Sequence, residues 1–272
     1  MRQSRPERIF RLTSAILIVV TFSCENQKAL HVRTETIRVD SPEQIVLVTD
    51  PLVRPLLYIN VSGLEKLPVR LAKAKFISAI LPSILTAKHM IGETRKRMEL
   101  LRDRKVWKAT DSSFYLDVKN RYMAKDIDDL LIRIVNLPTS LVLAQAAVES
   151  GWGKSRIFLK ANNLFGIWSY NVNEARIVAL RKRAAKKIYV RSYGDISQSV
   201  IHYFEILARS RSYQSLRDAH LRTNDPFQLL THLKNFSERR TAYTNQLKQI
   251  IIRNNLTLYD HYQLDPAYLE ED

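Results

Sequence analysis

Cysteine is all but missing. The 272 residues hold one, Cys24, so no intramolecular disulfide can form and a zinc site with two or more cysteine ligands is excluded. Acid is scarce as well. Asp and Glu number 27 against 43 Lys and Arg, a formal charge of +16 with a pI near 10.0. That balance implies an anionic partner: nucleic acid, a membrane surface or a polyanionic polymer. No recognised nucleic-acid motif accompanies the basic run at 181–187, so no nucleic-acid partner is expected. Long apolar runs are confined to residues 12–22, well short of the roughly 20 residues that a bilayer-spanning helix needs. No repeat or low-complexity segment is evident. Asp126, Asp128 and Asp129 lack the glycine and closing glutamate of a calcium loop, and read as charges at a helix start. Hydrophobic residues at 46% and charged ones at 26% exclude a wholly disordered chain.

The one apolar run follows Arg2, Arg5, Arg8 and Arg11, offset only by Glu7. A basic stretch before a short apolar one reads as a secretory signal. Cys24 stands directly after it, where a bacterial lipoprotein would be acylated, although Thr21-Phe22-Ser23 matches that box poorly. Residues 1–24 are therefore expected as a signal peptide or lipoprotein anchor. The rest is expected as an exported, periplasmic protein, with membrane attachment only through that N-terminus. There the cell wall, whose stem peptides carry carboxylates, becomes the favoured partner. The sequence carries no signal for an oligomeric state.

Residues 25–70 are rich in Val, Ile, Thr and Leu, with Pro42, Pro51, Pro55 and Pro68 between them, and read as an extended arm with short strands. Residues 71–135 read as helical. Ile77, Ile80, Leu81, Ile84, Ala87 and Ile91 form a stripe that Met98 and Leu101 extend, and Pro82 is expected to kink it near its start. His89 beside the stripe reads as structural. Residues 136–262 read as the main domain: helices interrupted between Leu164 and Tyr193 by a β-hairpin or lid. Asp195 with Gln198, and Asp225 with Pro226, mark helix starts, and Val200, Tyr203 and Leu207 share one helix face. A last helix is expected from about Thr241 to Asn254, with Tyr243, Leu247 and Ile250 aligned.

Chemistry concentrates in LPTSLVLAQAAVESGWGKSRIFLKANNLFGIW, residues 137–168. Residues 141–148 are apolar on nearly every face apart from Gln145, so this helix should be buried. Glu149 closes it before Gly151. The negative end of a helix and apolar neighbours such as Trp152 both disfavour a carboxylate and raise its pKa. A carboxyl still protonated near neutrality can protonate a glycosidic oxygen. On local physics alone Glu149 is equally a surface acid after a core helix. Asn162 and Asn163 suit a left-handed turn, Gly166 a tight one, and Phe165, Trp168 and Tyr170 offer flat faces for sugar rings. The same residues would also serve a helix–turn–strand junction with core aromatics.

AQAAVESGWGKS followed by NNLFGI resembles the endo-β-N-acetylglucosaminidase domain of glycoside hydrolase family 73, and within it the Bax group, over roughly residues 71–260. The resemblance implies a mainly α, mixed α+β fold: a lysozyme-like helical domain with a small β-hairpin. It implies peptidoglycan glycan strands as substrate, cut on the reducing side of N-acetylglucosamine. Glu149 matches the catalytic acid, and Asn162, Asn163, Phe165 and Gly166 match the motif beside the cleft, with Trp168 adding a sugar-binding face. Tyr243 resembles a late-helix tyrosine that faces the reacting sugar, and is equally readable as a core aromatic. No metal or organic cofactor is implied.

The departure from the family is the second carboxylate. Between Leu164 and Tyr193 the sole acid is Glu174, in an Asn-rich turn with few large apolar neighbours to fix it. Either Glu174 activates water, or the substrate's 2-acetamido group attacks with Tyr243 in support. The looseness expected of Glu174 favours the acetamide. A binder of murein with little activity and a lytic transglycosylase remain rivals. Export is checked by fusing, after Asn26, a reporter that works only outside the cytoplasm. The fusion is expected to be active, and activity solely from a cytoplasmic reporter would refute export.

Overall fold

The computed structural model describes residues 30–183 and 186–271. The segment read as a signal or anchor, residues 1–24, lies outside them. In chain order the regular elements are β1 (Leu30–Val32), β2 (Glu35–Arg38), β3 (Leu52–Val53), β4 (Leu56–Ile59), α1 (Val69–Asp103), α2 (Ala109–Tyr122), α3 (Ile127–Arg133), α4 (Thr139–Ser150) and α5 (Arg156–Ala161). They continue with β5 (Arg176–Arg183), β6 (Lys186–Arg191), α6 (Ile196–Arg209), α7 (Gln214–His220), α8 (Pro226–Leu229), α9 (Thr241–Arg253), β7 (Gln263–Leu264) and β8 (Leu269–Glu271). The fold is helical and mixed α+β, as expected. Its strands occur only as two-stranded pairs, and β5 with β6 is the hairpin foreseen between Leu164 and Tyr193.

The long helix α1 organises the rest. Its stripe from Phe76 to Leu101 is buried, and it packs against β4, α3, α4, α6 and β7. It runs as one element through Pro82, which lies well inside a helix that begins at Val69.

The stretch read as an extended arm is largely non-helical, and it is stitched to the body. Residues β1 and β8 pair antiparallel, Leu30 opposite Glu271. β2 runs parallel to β4 with Ile37 opposite Tyr58, and β3 runs parallel to β7. Val39, Ile45, Val53, Tyr58, Val61 and Leu64 bury their side chains in the common core. One apolar cluster runs from Val39 to Leu264 and crosses residues 70 and 136.

The start of α4 is fixed from outside. Its first-turn donors, Ser140 N–H and Oγ–H, go to the Asp260 carboxylate at 2.7 Å each. This supplies from a distant turn the cap that Pro138 cannot give. Lys88 of α1 is buried beside it and donates to the Leu137 carbonyl at 2.7 Å and to Thr139 Oγ1 at 3.0 Å. Burial lowers the Lys88 pKa to about 8, against the pull of Asp260.

The end of α4 is set by three successive left-handed residues, Gly151 (φ 60°), Trp152 (φ 58°) and Gly153 (φ 80°). Ser150 Oγ accepts from Gly153 N–H at 3.0 Å and locks the turn. At Gly153 the conformation and the space both demand glycine. A Cβ there would sit 2.9 Å from Phe76 Cδ2 and 3.0 Å from Leu64 Cδ1. Gly153→Ala is therefore expected to destabilise the protein by roughly 1–3 kcal/mol, read as a lower midpoint in thermal or denaturant unfolding. An unchanged midpoint would show that the turn is not constrained in this way.

Candidate active site

Glu149 occupies the last turn of α4, and its carboxyl is largely withdrawn from water. Burial holds its pKa above the ordinary value, while a hydrogen bond from Tyr243 and the charge of Arg239 work the other way. The negative end of α4 adds to the upward pressure. Gln145 lies one helical turn before Glu149 and on the same face. Its Nε2 donates to the Tyr243 hydroxyl oxygen at 3.1 Å, and its Oε1 accepts from the Tyr203 hydroxyl at 2.5 Å. The Tyr243 hydroxyl also bears on Glu149, where it opposes the upward shift of the carboxyl. Three helices, α4, α6 and α9, thus meet in one hydrogen-bonded chain.

Aromatic rings enclose that chain. Phe236 stacks on Tyr243 with centroids 5.8 Å apart, and Phe165 stacks on Tyr203 at 4.2 Å. Burial, and then the nearby charge of Glu149, push the Tyr213 phenol up to about 12. Arg239 holds its guanidinium 5.5 Å from the Tyr243 ring centroid and donates to Gln246 Oε1 at 2.7 Å. Trp152, expected among the neighbours that desolvate Glu149, instead packs its ring against Phe76 at 5.6 Å, with Lys73 Nζ 4.7 Å from the ring centroid.

Several residues expected to bind substrate are spent on the protein itself. Asn162, left-handed at φ 49°, donates from Nδ2 to the carbonyls of Tyr193 and Gly194 and accepts the Asn60 N–H. Asn163 donates to the carbonyls of Ile167 and Arg191 and accepts the Ile167 N–H. Both are buried, and together they lash the turn after α5 to the hairpin and to the start of α6. Phe165 is buried against Tyr203. The polar atoms of the two asparagines and one face of the Phe165 ring are thus engaged within the protein. Gly166 supplies a positive φ of 65° with open space at its Cβ position. Trp168 is 43% exposed and Tyr170 84% exposed, with centroids 6.2 Å apart, so these two rings do face outward.

Tyr243 is fully buried, and its hydroxyl is engaged by Gln145 and Glu149. It is thus a core aromatic whose hydroxyl lies beside the acid. Glu174 is also differently placed from expectation. It forms an ion pair with Arg191 at 2.5 Å and is fixed rather than loose, with Oε1 buried and without a hydrogen-bond partner. The reason is local. Arg176 and Arg191 stand opposite each other across the hairpin, a like-charge pair that opposes pairing. Glu174 neutralises Arg191, and the Tyr189 ring takes Arg176 at 4.0 Å.

Gln145, Tyr203, Phe236 and Arg239 were not singled out as site residues by the sequence. A signal existed for Gln145: a lone polar side chain in an otherwise apolar buried helix must find partners. Nothing in the sequence brings α6 or the segment before α9 to it.

The raised pKa of Glu149 makes a stability prediction. In the unfolded chain this carboxyl titrates near its ordinary 4.5, and in the folded chain above it. Below the ordinary value both forms are protonated and the group costs nothing. As pH rises from the ordinary value through the folded one, the unfolded chain releases this proton while the folded chain keeps it, so stability falls across that window and stays lowered above it. Glu149→Gln is expected to unfold at a higher temperature than the parent at about pH 7, with the gap closing toward about pH 4. Equal midpoints at both pH values would show that burying Glu149 costs no stability.

Residues 129–256 match the family model described as mannosyl-glycoprotein endo-beta-N-acetylglucosaminidase. Protein bax of Escherichia coli is 26% identical over 189 residues, 64% of this chain and 67% of that one. The peptidoglycan hydrolase FlgJ of Salmonella typhimurium is 33% identical over 95 residues, and the match covers 30% of each chain. Among solved structures, the catalytic domain of the autolysin Auto from Listeria monocytogenes aligns with a TM-score of 0.39 at 23% identity, covering 61% of this chain and 96% of that one. The family match spans α4, the hairpin, α6 and α9, and so includes Glu149, Gln145, Tyr203 and Tyr243. Residues 129–256 thus form a Bax-like glucosaminidase domain, of the glycoside hydrolase class.

Proposed function

We propose that the chain hydrolyses peptidoglycan, cleaving the β-1,4 bond between N-acetylglucosamine and N-acetylmuramic acid with Glu149 as general acid. The observation that carries this reading is the Glu149 carboxyl itself. It is half-buried at a helix C-terminus and pushed up in pKa, with the Tyr243 hydroxyl opposing the rise. Such a group keeps its proton to higher pH than an ordinary carboxyl, and has a neighbour that favours the carboxylate it becomes. As the C1–O4 bond breaks, the proton passes from Glu149 to the leaving O4. The negative charge left behind is met by the Tyr243 O–H and the field of Arg239.

The electron pair for C1 has two possible sources. Glu174 is tied to Arg191 and supports the hairpin. This favours attack by the acetamide carbonyl oxygen of the substrate's own N-acetylglucosamine. Water then opens the cyclic intermediate, and Glu149 recovers its proton from that water. Tyr243 acts here through Glu149 and not on the sugar. Trp168 and Tyr170 are the exposed rings on which the glycan can lie. The likeness to bax and FlgJ and the basic balance support a cell-wall polymer as substrate, and with it a site of action outside the cytoplasm. Among the described residues no helix is long and apolar enough to cross a membrane.

Glu149→Gln keeps the shape and cannot deliver a proton. Its turnover of purified sacculi is expected to fall by about 10²- to 10⁴-fold while sedimentation with sacculi persists. Mass analysis of the wild-type products should find reducing N-acetylglucosamine ends. Anhydro-muramic ends would replace this reading with transglycosylation, and a Glu149→Gln protein at full rate would remove the acid from its role.

A further inference from the structure

The support behind Glu149 extends through three more side chains. Tyr203 is fully buried among Phe165, Phe204 and Phe236, with ring centroids at 4.2, 5.2 and 6.1 Å. None of these rings is a good acceptor. Among the described residues, the sole hydrogen-bond partner of its hydroxyl is Gln145 Oε1. A buried hydroxyl proton without an acceptor is costly, so the Tyr203 proton must go to Gln145.

That fixes the amide. With Oε1 held by Tyr203, Nε2 faces Tyr243 and donates to its oxygen. A phenol has one proton. With Gln145 occupying the oxygen as donor, that proton is left to turn toward Glu149, whose pKa the Tyr243 hydroxyl lowers. The reverse orientation would turn the amide oxygen toward Tyr243 and draw its proton away from Glu149. It would also strand the Tyr203 proton among aromatic rings.

We propose that Gln145, Tyr203 and Phe165 are positioning residues for Glu149: the Phe165 stack and two hydrogen bonds fix the direction in which the Tyr243 hydroxyl donates. This rests on the reading of Glu149 as general acid. It gives the Phe165 of the Asn-Asn-Leu-Phe-Gly motif a task away from the sugar. It also accounts for Gln145, the one polar residue in the stretch Leu141–Val148, one turn before the acid.

Tyr203→Phe is the direct test. It deletes one oxygen and keeps the ring stack, so the fold should survive, as circular dichroism can verify. Without the Tyr203 donor the amide is free to turn, and Glu149 loses part of the bond that favours its ionised form. Its carboxyl then keeps its proton to higher pH. The alkaline limb of kcat/KM is expected to move up by several tenths to about one pH unit. At the optimum, kcat should fall about three- to tenfold while KM stays within about twofold. In a Tyr243→Phe background the last link is already cut, so adding Tyr203→Phe should shift the limb no further. An unshifted limb in Tyr203→Phe, or an equal second shift in the Tyr243→Phe background, would overturn the proposal. Phe165→Leu is expected to move kcat and the limb in the same direction. A rise in KM alone would return Phe165 to sugar binding and remove its share. All these outcomes leave intact the loss of activity in Glu149→Gln, whose absence would instead defeat the functional reading.

Discussion

A carboxyl that must sometimes be charged sits where neither water nor the helix behind it favours charge. α4 is apolar on nearly every side and is enclosed by α1, α9 and the turn at Leu256–His261. Its last turn leaves Glu149 half-buried at the edge of the packed interior. The two opposing influences on the carboxyl come from different parts of the fold. Enclosure by the helical body raises its pKa. α9 and the segment before it supply the Tyr243 proton and the Arg239 charge that limit the rise. A proton donor of intermediate strength needs both, because a fully stripped acid would hold its proton too tightly to release it.

Much of this was legible in the sequence, and the reason is periodicity. The stripe of α1, the apolar continuity of α4 and the caps at Asp195 and Asp225 depend on residues close together in the chain, and each element lies where its pattern put it. The Gly-Trp-Gly turn was visible as a stop, and the structure adds that Gly153 is also a contact point for Phe76. The polar contacts were illegible. Asn162 and Asn163 look like free amides in a list of residues. Their atoms are consumed by carbonyls some thirty residues later, in the hairpin and at the start of α6. The partners of Gln145 lie 58 and 98 residues away. No local rule brings them together.

The hairpin shows the same limit for charge. Counted along the chain, Glu174 is the lone acid in a basic segment and invites a catalytic role. Across the strands it answers a register problem, two arginines face to face. The unpartnered Oε1 of that glutamate shows that the ion pair is achieved at a cost, since one oxygen is buried without a donor. Net charge thus has two scales in this protein. The +16 total bears on the polymer it meets, and the local pairing decides whether the hairpin closes.

The Asp260 cap on α4 separates the family's unit from the folding unit. The matched segment stops at residue 256, four positions before the carboxylate that holds both donors of Ser140. A fragment trimmed to the match would keep Glu149 and every member of its hydrogen-bonded chain. It would leave the opposite end of the same helix with two donors facing nothing, and would lack Lys88, which donates to Leu137 and Thr139 there. The last residues of the chain and the strands before α1 are in this sense part of the scaffold for a carboxyl they never touch. Divergence outside the matched boundaries can therefore alter how firmly the acid is held without changing one residue around it.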